Sequence, residues 1–247
     1  MACRNIEKSL DTCNQIKKEN NNQNIELLPL DLSSIKSIQS FVDNIQNKKI
    51  EISILINNAG VLSTSYQETN DGFELTVGVN YIGQYLLTRL LLPRISKGTG
   101  RIINISSIMY RLGRVDTDFF QCRSKPYHGF HTYANSKLAL LLFSLELAEQ
   151  IDHDGITVNS VDPGIVNTNM ITMNKWFDPL TDILFRPFLK SEDRGAQTSV
   201  FLATDHRIKN ETGKYFINRK EKKLPGWVIT HPFRKELWKE TEKKLGL

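Results

Sequence analysis

The sequence predicts an α/β fold, a doubly wound parallel sheet in a single domain, and three observations carry that expectation. Apolar periodicity switches repeatedly between short β-like runs and helical stretches, the pattern of strands and helices alternating around a parallel sheet. A length of 247 residues suits one large α/β domain. Hydrophobic residues make up 40% and charged residues 24% of the chain, an ordinary globular balance that excludes a wholly disordered protein.

The elements follow in order. MACRN opens the chain and runs directly into a helical pattern, as if a strand had just ended. IELLPLDL (25–32) reads as a strand entering a turn. SSIKSIQSFVDNI then sets Ile35, Ile38, Phe41, Val42 and Ile45 on one helical face, with Ser33 or Ser34 as N-cap. ISILINNAG is a buried strand with its exit loop, 72–95 a long helix, and RIINISS the next strand. The polar stretch 109–131 is too long for a simple crossover, and loops of that length tend to be functional. YANSKLALLLFSLELAEQI (133–151) is a helix and ITVNSVDPG a strand; DRGAQTSVFLAT and GKYFI supply a further pair. The chain ends in a basic amphipathic helix, and KENNNQN reads as a surface loop.

Composition narrows the chemistry. Cys3, Cys13 and Cys122 are odd in number and form no C-x-x-C pair, so neither a disulfide framework nor a zinc site is expected, and a reducing, cytoplasmic compartment is the default. Five histidines show no H-E-x-x-H spacing, so no metal is expected. The net charge of +5 is partly concentrated in NRKEKK (218–223), a run that suits an anionic membrane, a phosphate or a solvated loop. No nucleic-acid motif is present, and no apolar run approaches the roughly 20 residues of a membrane span.

YANSK is the most informative stretch. Tyr133 and Lys137 are four apart, so a helix projects both from one face. An ammonium beside a phenol favours the phenolate and lowers its pKa, which makes the pair a proton donor or acceptor for an alcohol or carbonyl oxygen. Y-x-x-x-K alone is a weak pattern, equally a helix start. Its company strengthens it: NISS, NNAG and DPGIVNT each end a strand, and open parallel sheets bind ligands beyond the carboxyl ends of their strands. Ser107 can then share the substrate oxygen, although Ser106 stands beside it, and both serines can simply finish a strand.

NNAG (57–60), NYIG (80–83), NISS (104–107), YANSK and PGIVNT (163–168) occur in the order of the successive motifs of the short-chain dehydrogenase/reductase family. The chain resembles that family over nearly its whole length, and MACRN, LDLSSIKSIQSF, DGFELTVGVNYIGQYLLT and TGKYF resemble its retinol dehydrogenase-like branch. The resemblance implies a Rossmann-type sheet and a catalytic tetrad of Asn80, Ser107, Tyr133 and Lys137. In it Tyr133 is the acid or base, Ser107 polarises the carbonyl oxygen, Lys137 holds the nicotinamide ribose and Asn80 orders a relay water. A plain helix cap is the alternative for Asn80.

For the cofactor, the resemblance implies adenine contacts from Asp31 and Leu32, a ribose side lined by Asn58, Ala59 and Gly60, and a nicotinamide-side loop of Pro163, Gly164, Val166 and Thr168. Arg4, at the end of the second strand, implies NADP(H) over NAD(H), because an arginine accommodates the 2′-phosphate; an ordinary surface charge is the alternative. The implied activity is the interconversion of a lipophilic alcohol, a retinoid, with its aldehyde or ketone. A steroid or other carbonyl substrate, or an inactive isoform acting as a non-enzymatic fragment, are the alternatives. Segments 109–131 and 170–190 are expected to shape the substrate pocket.

The family's second strand ends where ACRN stands, so the resemblance implies an N-terminally truncated domain without the first strand, the glycine-rich turn that takes the cofactor pyrophosphate, the helix after it and most of the second strand. Membrane association through that missing segment, at the cytosolic face of the endoplasmic reticulum, belongs to the same expectation. In the family's strand order, 3-2-1-4-5-6-7, the missing pair lies between the strand at 25–32 and the strand that ends in NNAG, so these two are expected to be too far apart to hydrogen-bond, leaving an apolar edge open.

Overall fold

The computed structural model describes residues 1–120, 127–164 and 191–247. Strand β1 (Ala2–Cys3) pairs in parallel with β2 (Leu28–Pro29). Helix α1 (Ile6–Glu19) connects them, its first turn closed by the Asn5 side chain accepting from the Lys8 amide. Helix α2 (Ile35–Asn47) starts at Ser34, whose hydroxyl accepts from the Ser37 amide, so of the two predicted caps it is Ser34 that is used.

The larger sheet runs β3 (Ile54–Asn57), β4 (Arg101–Ile105), β5 (Thr157–Asp162) and β6 (Tyr215–Ile217), all parallel, with β7 (Lys220–Glu221) antiparallel at the end. Asn218 and Arg219 both take positive φ in the two-residue turn that joins β6 to β7. Helices cover both faces of this sheet, which the alternation of β4 makes visible. Ile102 packs in the cluster under α4 (Gln84–Leu91) and α5 (Gly129–Gln150), whereas Ile103 and Ile105 pack with Leu202 of α6 (Glu192–Thr204).

No ladder joins β1–β2 to β3–β7 among the described residues. The two sheets share a core instead: Leu30 meets Ile38, Val42 and Ile45 of α2 and Leu86, Leu87 and Leu91 of α4, with Leu55 of β3 at its margin. Ile54 and Ile56, at the outer strand β3, are 41% and 42% exposed.

Three elements differ from their sequence patterns. The helix expected over 72–95 is a short α-turn, α3 (Leu75–Val77), a π-helical turn (Gly78–Gly83), α4, which Pro93 ends, and a 3₁₀ turn (Leu92–Arg94) that contains this proline. The strand expected over 25–32 enters a ladder only at β2. The terminal helix divides into α7 (Gly226–Ile229) and α8 (Arg234–Leu245). Helix α8 packs Trp238 against Tyr85 and Phe143, with the Arg89 guanidinium 4.7 Å above the indole and paired with Glu242. It therefore covers a side of α5 that would otherwise face water. No helix among the described residues is long and apolar enough to cross a membrane.

Candidate functional site

Parallel pairing brings the carboxyl ends of β3, β4 and β5 to one edge of the sheet. Helix α5 begins at Gly129, one turn earlier than its pattern predicts, and its second turn lays Tyr133 and Lys137 beside those ends. Lys137 is only 3% exposed; its ammonium donates to the Ile105 carbonyl at 2.8 Å and lies 5.6 Å from the centre of the Tyr133 ring. The two serines after β4 separate by strand alternation. Ser106 is buried and its hydroxyl points to the Lys137 carbonyl at 3.5 Å, whereas Ser107 faces the Tyr133 phenol. Ser107 also caps the 3₁₀ turn that follows, Ile108–Leu112, accepting from the Met109 amide.

The electrostatics correct one expectation. Burial pushes the Tyr133 phenol up to about 12; Ser107 opposes this and the Asp162 carboxylate adds to it. Burial lowers Lys137 to about 8, with Asp162 opposing. The ammonium, turned to the Ile105 carbonyl, does not bring the phenol toward neutrality, so Tyr133 stands as a protonated acid.

Asn80 sits in the π-helical turn, fully buried. Its carboxamide oxygen accepts from the Val61 amide at 2.8 Å, and its nitrogen donates to the Val61 carbonyl and to Ser136 Oγ. Ser136 in turn donates to the Tyr133 carbonyl at 2.7 Å. Asn80 therefore braces the loop after β3 against the turn of α5 that carries the phenol, and none of its described bonds reaches the Tyr133 or Lys137 side chain. A second buried network links the strands: Asn57 donates to Thr88 and Asn104, and Asn104 to Ser144. Asn57 and Asn104 open the NNAG and NISS motifs and Ser136 lies within YANSK, but the motifs carry no indication of these contacts, and Thr88 and Ser144 show in the sequence only as polar residues inside apolar runs.

The other predicted residues divide between the two sheets. Asn58 and Ala59 are exposed and Gly60 half-buried in the loop after β3, where the Ala59 carbonyl accepts from Gln84. Pro163 and Gly164 follow β5, Gly164 with φ of 78°, a conformation natural to glycine that lets a ligand approach the backbone. Arg4 is exposed directly after β1. Asp31 uses one carboxylate oxygen to accept from the amide and hydroxyl of Ser33, shaping the turn into α2, and Leu32 packs at the shared core. Val166, Thr168 and the segment 170–190 lie outside the described residues. Ser107, Tyr133, Lys137, Pro163 and Gly164 thus converge, whereas Arg4, Asp31 and Leu32 belong to the β1–β2 side. An ammonium at the strand ends, a glycine turn beside it, an exposed loop after β3 and an exposed guanidinium beyond β1 fit a nucleotide cofactor lying across these ends. A separate groove of about 830 Å³ runs along α6 and reaches Arg219 in the turn after β6, its Asp205 and Arg207 paired with each other.

Asp162, the last residue of β5, is also at this edge. It is 4% exposed, accepts from the Gly164 amide at 2.8 Å and from the Tyr215 hydroxyl at 3.3 Å, and burial together with this carboxylate drives the Tyr215 phenol well above its ordinary value.

Comparison with known proteins accords with this geometry. The profile described as short chain dehydrogenase matches residues 1–176. Retinol dehydrogenase 13 of Homo sapiens is 34% identical over 253 residues, spanning all of this chain and 76% of its own. Retinol dehydrogenase 12 of Mus musculus is 36% identical, spanning all of this chain and 78% of its own, and polyprenol dehydrogenase of Homo sapiens is 34% identical, spanning all of this chain and 77% of its own. Among solved structures, a short chain dehydrogenase from Burkholderia cenocepacia in complex with NADP superposes with a TM-score of 0.67 at 21% identity, over 87% of this chain and 83% of its own. That likeness concerns the fold.

Proposed function

The chain belongs to the short chain dehydrogenase family, in its retinol dehydrogenase-like branch, and on that premise we propose that this oxidoreductase uses NADP(H) to interconvert a lipophilic alcohol, a retinoid, with its carbonyl form. The observation that carries the reading is the convergence of the Ser107 hydroxyl, the Tyr133 phenol and the Lys137 ammonium at the strand ends. In reduction, Ser107 hydrogen-bonds the substrate oxygen and Tyr133 delivers its proton to that oxygen. Lys137, anchored on the Ile105 carbonyl, would hold the nicotinamide ribose, with Pro163 and Gly164 shaping the same side. Arg4 would meet the 2′-phosphate and the loop from Asn58 to Gly60 the adenosine side. The cofactor supplies the hydride; the chain orients the carbonyl carbon toward it. The protonated phenol is the form that donates in carbonyl reduction, and the same oxygen takes the proton back in alcohol oxidation.

Tyr133→Phe tests this. General acid catalysis contributes about 10² to 10⁴-fold, so turnover of retinal should fall by at least about that lower factor while NADPH still binds. Undiminished turnover would overturn the assignment.

A further inference from the structure

Asp162 is a carboxylate buried without an ion pair among the described residues, and a buried charge is costly unless a counter-charge lies near. Among the described residues, the other strongly buried charge whose field meets this edge is Lys137. The two are anchored on neighbouring strands. Ile105 is opposite Val161 in the β4–β5 register, the Ser106 amide donates to the Val161 carbonyl at 2.7 Å, the Lys137 ammonium hangs from the Ile105 carbonyl, and Asp162 is the next residue after Val161. The carboxylate is held from two sides, by the Gly164 amide and the Tyr215 hydroxyl, and Tyr215 is itself packed edge-on against Tyr110 at 5.4 Å.

We propose that Asp162 is a positioning residue of the proton-transfer step, a fixed negative charge that keeps Lys137 an ammonium and Tyr133 a phenol and so sets the pH range in which the site protonates a carbonyl. The inference deepens the functional reading above and rests on it. The carboxylate acts on Tyr133 and Lys137 from α5 and on Tyr215 from β6, and Tyr215 is in turn acted on by Tyr110 and Arg111 from the turn after β4. The field of Asp162 raises the pKa of both Tyr133 and Lys137, opposing burial at the lysine and reinforcing it at the tyrosine. In VDPG the acid before Pro-Gly reads as a turn residue, and a turn role alone would be met by its bond from the Gly164 amide.

Asp162→Asn separates the two roles, because an amide oxygen still accepts from Gly164 and Tyr215 but carries no charge. Two readouts are taken on the full chain, the NMR titration of the Lys137 side chain, assigned with Lys137→Arg, and the pH profile of kcat/KM for retinal reduction with NADPH. In Asp162→Asn the Lys137 titration and the alkaline limb of the profile should both move to lower pH, while Asp162→Glu keeps both near wild type. Should Asp162→Asn fail to fold, Asp162→Ser, whose hydroxyl also accepts from the Gly164 amide, removes the same charge. An unmoved Lys137 titration overturns the proposal whether or not the chain turns over. A moved titration with an unmoved profile overturns the role in proton transfer. Failure of the functional reading itself is recognisable, because the chain would then bind no NADPH although the Lys137 titration still moves.

Discussion

Lys137 shows how one buried side chain couples chemistry to stability. Its ordinary pKa of 10.5 falls to about 8 in the folded chain because burial disfavours the ammonium. Below about pH 8 both folded and unfolded chains hold the proton, and the folded chain carries the full burden of a buried charge. As pH rises from about 8 to about 10 the unfolded chain binds more protons than the folded one, so this group makes stability rise. The denaturant midpoint of the wild type should therefore climb relative to Lys137→Met across that window; parallel curves would contradict the burial of a charge. Arg4 gives a second test at this scale. Removing its guanidinium with Arg4→Ala should weaken NADPH more than NADH by about 1.5 to 3 kcal/mol, the worth of a hydrogen bond to a charged group, and equal losses would refute its role. Tyr133 and Lys137 were legible because four-residue spacing on a helix fixes a shared face. Which serine faces the phenol was legible only through the family resemblance, which gives Ser107, since from the residues alone it depends on where the strand stops alternating. Asp162 was hidden for the same reason: only the β4–β5 register brings it beside Lys137.

The element that organises the site is the π-helical turn Gly78–Gly83, which wedges between the β2–α2 turn and α5. Gly83 is required there by contact: a Cβ would lie 2.2 Å from the Leu32 carbonyl oxygen and 2.9 Å from Leu32 Cβ. Backbone cannot yield as a flexible side chain does, so Gly83→Ala should destabilise the chain by about 1 to 3 kcal/mol through overpacking, measured as a lowered urea midpoint with unchanged slope. A neutral substitution would mean that α4 and the β2–α2 turn are not packed as described. Sequence periodicity announced a helix over this stretch but not its π turn, because the extra residue per turn arises where buried Asn80 must reach both Val61 and Ser136. The terminal helix was legible as amphipathic, whereas its docking partner was not. That partner is α5, apolar all round, whose pattern says only that something must cover its second face.

At the scale of the molecule, the chain is one apolar assembly built on two hydrogen-bonded sheets. The β1–β2 ladder is two residues long on each strand and buried at none of its positions, while β5 is buried at every one. Local opening follows contact density, so amides of β1 and β2 should exchange with solvent well before those of β4 and β5 in native-state hydrogen exchange. Uniform protection across both sheets would contradict their separation. The alternating fold was legible because strands and helices switch period along the sequence, and the lack of a ladder between β2 and β3 followed from strand order. What could not be read was how the two parts stay together, which depends on Leu30, Val42 and Leu86 meeting in three dimensions.

The function proposed for this chain requires that its strand ends hold NADP(H). Calorimetric titration of NADPH and NADH into the purified chain addresses that directly: saturable binding at one site, tighter for NADPH than for NADH, is the predicted result. No binding of either nucleotide, or equal affinity for both, would contradict it.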